Sequence, residues 1–109
     1  MVEPMTTKDN RGNKIYSIDK HGYEQFWDFD EKNRLTRWHD SNGLETIWEY
    51  DELSRPTYMK GSDGTYLHQK YENDCVHQIY SNGIERTYDS HNRLIYEKDS
   101  SEKEKRWNY

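Results

Sequence analysis

The stretch FDEKNRLTRWHDSNGLETIWEYDELSRPTY, Phe29 to Tyr58, states one phrase and begins it again. An aromatic-acid pair, Phe29-Asp30, is followed by a polar gap, Arg34, Asn42-Gly43 and a second such pair, Tyr50-Asp51. The spacing continues outward. Tyr71-Glu72 follows Tyr50 by 21 residues, Tyr88-Asp89 comes 17 later, Tyr109 comes 21 after that, and Lys8-Asp9 precedes Phe29 by 21. Gly22, Gly43, Gly64 and Gly83 fall near the middles of the units. Self-similarity at a fixed period marks stacked supersecondary units. It divides the chain into a tail, 1–7, and one array, 8–109, with units 8–28, 29–49, 50–70, 71–87 and 88–109.

Asn-Gly and Asp-Gly between alternating segments signal β-hairpins, because a two-residue type I′ turn needs φ > 0 at both central residues. A two-residue turn at Asn42-Gly43 predicts Ser41 opposite Leu44, Arg37 opposite Trp48 and Leu35 opposite Tyr50. The same rule places Tyr58 opposite Gln69, Pro56 opposite Tyr71, Tyr16 opposite Trp27 and Tyr96 opposite Trp107. Between units, Asp30 to Arg34 suits a three-residue loop with a left-handed residue at Asn33. Gly12, Ser54 and Asn92 occupy the equivalent slot, and Cys75 does so in the shortened fourth unit. Asp30, Asp51 and Asp89 open these loops, where a carboxylate can accept backbone N–H bonds, with Arg34, Arg55 and Arg93 across from them.

The expected fold is all-β: an antiparallel meander of about ten short strands from five tandem hairpins, forming a curled single sheet. Tyr16, Trp27, Phe29, Leu35, Trp48, Tyr50, Tyr58, Leu67, Tyr71, Ile84, Tyr88, Leu94, Tyr96 and Trp107 are expected on one face, joined by His39 and His77. The other face is expected to carry acids, Lys and Thr, with Phe26, Trp38, Ile47, Met59, Tyr66 and His68. An aromatic face needs cover, from curling, from a second copy or from a partner.

Composition narrows the function. Only 30% of the 109 residues are hydrophobic and 34% are charged, which favours disorder, yet 15% are aromatic, which opposes it. A net charge of −5 disfavours direct nucleic-acid binding. Cys75 is the only cysteine, so no internal disulfide forms, which suits a reducing compartment. No apolar leader or membrane-length stretch occurs, and a cytoplasmic protein is expected.

The repeated pattern resembles the YD-repeat, or Rhs, family. Its unit reads Tyr-Asp-x-x-Gly-Arg-Leu-Thr, then a gap, Asp-Gly or Asn-Gly, and another aromatic-x-Tyr-Asp. Phe29-Asp30 with Asn33-Arg34-Leu35-Thr36 follows it, and so does Tyr88-Asp89 with Asn92-Arg93-Leu94-Ile95. The resemblance implies β-meander strips, which in family members curl into shells around toxin domains or serve as adhesive surfaces. A five-unit array is too short for a closed shell. It looks more like the small proteins of phages and mobile elements, among which compact inhibitors of bacterial defence are common.

The histidines show no HExxH, HxH or Cys-His spacing, and no metal or cofactor is expected. Acids that recur in equivalent loops suit turn capping better than a unique catalytic pair, so no enzyme is expected. The expectation is a protein-binding module of anti-CRISPR-like type, in a bacterial cytoplasm. Its proposed surface is Phe26, Asp28, Trp38, Asp40, Glu45, Ile47, Glu49, Met59 and Tyr66, aromatic anchors in an acidic rim facing a basic, nucleic-acid-binding host protein. A carbohydrate-binding repeat or a fragment of an Rhs-type shell is the alternative, and a homodimer is one way to cover the aromatic face.

Overall fold

The computed structural model describes residues 2–109. They form one antiparallel sheet whose strands lie in chain order. The strands are β1 (Met5–Lys8), β2 (Lys14–Ile18), β3 (Glu24–Phe29), β4 (Leu35–Asp40), β5 (Glu45–Tyr50), β6 (Pro56–Gly61), β7 (Tyr66–Glu72), β8 (Cys75–Tyr80), β9 (Glu85–Tyr88), β10 (Leu94–Lys98) and β11 (Glu104–Arg106). The all-β meander read from the repeat is correct, with one strand more. The sheet stays open, with β1 and β11 as its edges. No described hydrophobic residue is fully buried. The sheet is a single layer whose apolar side chains are half-covered by neighbours on the same face.

One turn design recurs. Gly43 N–H bonds to Asp40 O and Asp40 N–H to Leu44 O, enclosing Ser41-Asn42-Gly43. Gly43 takes φ 88° and Asn42 is not left-handed, so this is a three-residue loop and not type I′. Asp40 Oδ1 selects it by accepting the N–H groups of Asn42 and Leu44 at 3.0 and 2.9 Å. Asp9, Asp19, Asp30, Asp51, Asp89 and Asp99 hold their loops the same way. Gly12, Asn33, Ser54 and Asn92 are left-handed, as expected from the sequence.

The type I′ turn occurs elsewhere, at Asn73-Asp74, both with positive φ. It joins Glu72 to Cys75 as direct partners. Cys75 therefore starts β8 and leaves the left-handed slot empty, a correction to the sequence reading. The fourth unit needs no third loop residue there, and it also lacks the bulge residue found after the other inter-unit loops.

That bulge explains a second correction. Phe29 pairs with Leu35 but Asp28 pairs with Arg37, leaving Thr36 extra. Thr57 and Ile95 are extra in the same way. Each bulge shifts the register by one residue, and each glycine loop, one residue longer than expected, shifts it again. Over a whole unit the two slips cancel. Between them, on β2, β4, β6 and β10, the side chains between bulge and glycine loop lie on the face opposite to expectation, whereas Leu35, Pro56 and Leu94, before the bulges, keep the expected face.

The observed pairs are thus Arg37 with Ile47, Tyr58 with His68, Tyr16 with Phe26, and Tyr96 with Arg106. Opposite partners share a face and successive residues alternate. Trp27, Trp38, Trp48, Tyr50, Met59, Leu67, Tyr71, Tyr80 and Tyr88 share one face, here called the tryptophan face. Tyr16, Phe26, His39, Ile47, Tyr58, Tyr66, His68, His77 and Tyr96 share the other, the mixed face. Trp38 and Met59 therefore change sides relative to expectation, as do Tyr16, Tyr58, Tyr96, His39 and His77. Ile84 lies in a loop between strands.

A candidate interaction surface

The mixed face is built from three cross-strand rows. The first runs Tyr16–Phe26–His39–Glu45, the second Asp28–Arg37–Ile47–Lys60–Tyr66, and the third Glu49–Tyr58–His68–Ile79–Glu85. Rings meet along them. Phe26 and His39 stack at 4.6 Å, with Tyr16 tilted against Phe26 at 5.0 Å. Tyr58 lies 4.7 Å from His68 and 6.3 Å from Tyr66. Such pairs hold neighbouring strands in register.

The charges on this face are mostly answered. Arg37 reaches Glu45 at 2.6 Å and Asp28 at 3.8 Å, Lys98 reaches Glu85 at 2.6 Å, and Lys70 reaches Glu72 at 3.8 Å. Tyr16 donates its hydroxyl to Glu24 Oε2 at 2.7 Å, which raises the phenol's pKa. Glu49 forms no ion pair among the described residues. It stands on the wall of a shallow groove of about 760 Å³ lined also by Ile47, Thr57, Tyr58, Lys60, His68, Lys70 and Ile79.

Of the residues expected to bind a partner, Phe26, Asp28, Glu45, Ile47, Glu49 and Tyr66 do share this face. Trp38, Asp40 and Met59 do not. Trp38 is the direct partner of Trp27 and Met59 of Trp48, on the tryptophan face. Asp40 is buried in its turn, where Tyr23 donates a hydroxyl to its Oδ2 at 2.8 Å. Burial pushes the Asp40 carboxyl up, but the Tyr23 hydroxyl and two backbone N–H groups outweigh it and hold its pKa below the ordinary value. Tyr58, His68 and Ile79, on the groove, were not among the expected residues. The register slip puts Tyr58 on this face, opposite to the sequence expectation.

The loop acids are structural in a specific way. Asp30, Asp51 and Asp89 each accept two backbone N–H groups and the Nε of Arg34, Arg55 or Arg93 at 2.8 Å. Their carboxyls lie below the ordinary value, chiefly through the N–H of that arginine. Each guanidinium then covers the tyrosine that ends the same hairpin span: Arg34 over Tyr50 at 4.9 Å, Arg55 over Tyr71 at 4.2 Å, Arg93 over Tyr109 at 4.5 Å. The tyrosine hydroxyls reach back to the carbonyls of Leu35, Pro56 and Leu94 at 2.7–2.8 Å. The Tyr-Asp pair and the Arg four residues after the Asp are thus one clasp repeated along the sheet.

The RHS Repeat family model matches residues 29–66. That stretch holds two complete clasp loops, at Asp30 and Asp51, and the glycine loops between and after them. Over residues 29–66 the chain is similar to the YD-repeat, or Rhs, family. No curated protein matches it. A β-repeat structural or binding module is what this match and the open sheet support.

Proposed function

We propose that the chain is a non-enzymatic module that binds another protein through the mixed face of its sheet. One observation carries the reading: the groove beside Glu49, where an unpaired carboxylate meets aromatic and aliphatic side chains from four adjacent strands. Tyr58, His68, Ile47 and Ile79 supply anchors of the kind that dominate binding energy, and the paired charges around them form a polar rim. Glu49 favours a partner that brings a cation to that point. The role of the loop acids in holding turns supports a non-catalytic reading, since the same carboxylate geometry repeats in loop after loop.

In its narrower form, the module is a small inhibitor from a phage or mobile element. It lays this face over a basic, nucleic-acid-binding surface of a bacterial defence protein and works in the cytoplasm of that bacterium. The net charge of −5 and the acidic partners around Arg37 support this form.

The test is affinity capture from a bacterial lysate with the wild-type chain, Glu49→Lys and Tyr58→Ala. A genuine partner is retained by the wild type and lost with either variant while circular dichroism stays unchanged. Capture that is indifferent to both substitutions, or binding to a glycan array instead, rejects the proposal. Capture of a nuclease or other DNA-binding protein, with loss of its activity, is the result expected of the inhibitor form.

A further inference from the structure

The tryptophan face has the opposite character. Its central row runs Trp48–Met59–Leu67–Tyr80, and beside it Trp27 faces Trp38. Its polar groups already satisfy one another. Gln78 donates to Gln69 at 2.9 Å, Tyr80 donates to Gln78 at 2.7 Å, and Arg86 pairs with Glu97 at 2.9 Å. Covering the centre of this face strands no donor or charge, so the desolvation cost there is low. A cation with no ion pair among the described residues lies to one side, where Lys14 Nζ stands 4.7 Å over the Trp27 ring. Leaving it bare is costly, because a one-layer sheet without a fully buried hydrophobic residue has little to offset the entropy of ordering its chain.

We infer that this face is the seat of a second copy of the chain, in a twofold dimer of two sheets packed face to face. The cover is needed whenever the chain folds, and a second copy is the one partner always made with it. The patch is self-complementary in the sense a twofold axis requires: apolar, near neutral at its centre and continuous across strands. A sheet measuring 55 by 30 Å exceeds the ~800 Å² per partner that a standard interface buries. The mixed faces, which carry most of the charge, would point outward and apart. Aligned sheets pack about 10 Å apart, a gap that Trp, Met, Leu and Tyr side chains fill.

The test uses the full chain in sedimentation equilibrium, with sheet content followed by circular dichroism. The wild type is expected at twice the 13.4 kDa chain mass, with a thermal midpoint that rises with concentration. Met59→Lys, on the tryptophan face, should reduce the mass to that of one chain or abolish the sheet. Ile79→Lys, on the mixed face, should leave the double mass intact. If Met59→Lys does not fold, the concentration dependence of the wild-type midpoint still decides. A folded wild-type species of 13.4 kDa with a constant midpoint overturns the inference. So does a double mass that survives Met59→Lys, or a stable complex in which a different protein shields the tryptophans from a quencher.

Discussion

The Arg55 guanidinium lies 4.2 Å over the ring of Tyr71, and Tyr71 reaches past it to donate its hydroxyl to Pro56 O at 2.8 Å. The loop that Arg55 closes is thereby tied to a strand two hairpin arms further on. Tyr71→Phe keeps the ring under the guanidinium and removes only the hydroxyl. It should cost about 1 kcal/mol in urea unfolding, the usual worth of one such hydrogen bond. Tyr50→Phe should cost a similar amount, since its hydroxyl makes the same bond to Leu35 O. No change in either midpoint would mean that the clasp holds nothing.

Ser54 sits at φ 62°, where Asn33 and Asn92 occupy the equivalent loop position. Left-handed backbone is unfavourable for a non-glycine residue, and Asn tolerates it better than Ser. Ser54→Asn should therefore stabilise the chain by roughly 0.5–1 kcal/mol. A lower melting temperature would show that the weak Arg34 contact to Ser54 Oγ, at 3.4 Å, matters more than the backbone.

The pH profile should fall off at both ends. Asp30, Asp51 and Asp89 have folded pKa values below the ordinary 3.8. Their contribution is complete above that value and is lost as pH falls through the folded values beneath it. Tyr50 and Tyr71 are raised above 10.0, first by burial and then by the charges of Asp30 and Asp51. Their contribution is complete below pH 10 and is lost as pH rises beyond it. Chemical denaturation midpoints followed across pH check both limbs. A loss of stability centred near neutrality would contradict the assignment, and Asp51→Asn should shrink the acid limb.

Trp27→Ala and Trp38→Ala should be alike. The two residues are direct partners on one face and both are half-buried, so each truncation should cost on the order of 1–2 kcal/mol. A large loss for one and none for the other would place them on opposite sides of the sheet, as the sequence alone implied.

That implication shows where the sequence was readable. The 21-residue period, the inter-unit loops opened by Asp9, Asp30, Asp51 and Asp89 and their left-handed residues were visible, because Asp, Arg, Asn and Gly declare them locally; the Asn73-Asp74 turn was not. The faces of β3, β5, β7 and β9 were also correct. What misled was Asn42-Gly43, which reads as a two-residue turn until Asp40 is counted. An Asp three residues before the left-handed residue recurs at Asp9, Asp19, Asp30, Asp40, Asp51, Asp89 and Asp99. That spacing runs at half the repeat, so intra-unit and inter-unit loops are the same device, and the Asp40 position is the sequence signal for the longer turn. The bulges at Thr36, Thr57 and Ile95 carry no glycine or proline, and nothing local announces them. The proposed surface was accordingly half-legible. Its β3, β5 and β7 members stand together, and its β4 and β6 members face away.

The Asn73-Asp74 turn has neither the opening Asp nor the closing Arg, so no clasp spans it. Strands on its N-terminal side are linked through Arg34 and Arg55, and those on its C-terminal side through Arg93. The series of clasps is therefore interrupted at β7 and β8, which an unbroken ladder from Leu67–Tyr80 to Glu72–Cys75 and the Gln78–Gln69 hydrogen bond hold instead. Amide exchange should find the β7–β8 amides protected by their own ladder, and that protection should survive Arg34→Ala or Arg93→Ala, which open clasps elsewhere in the ribbon.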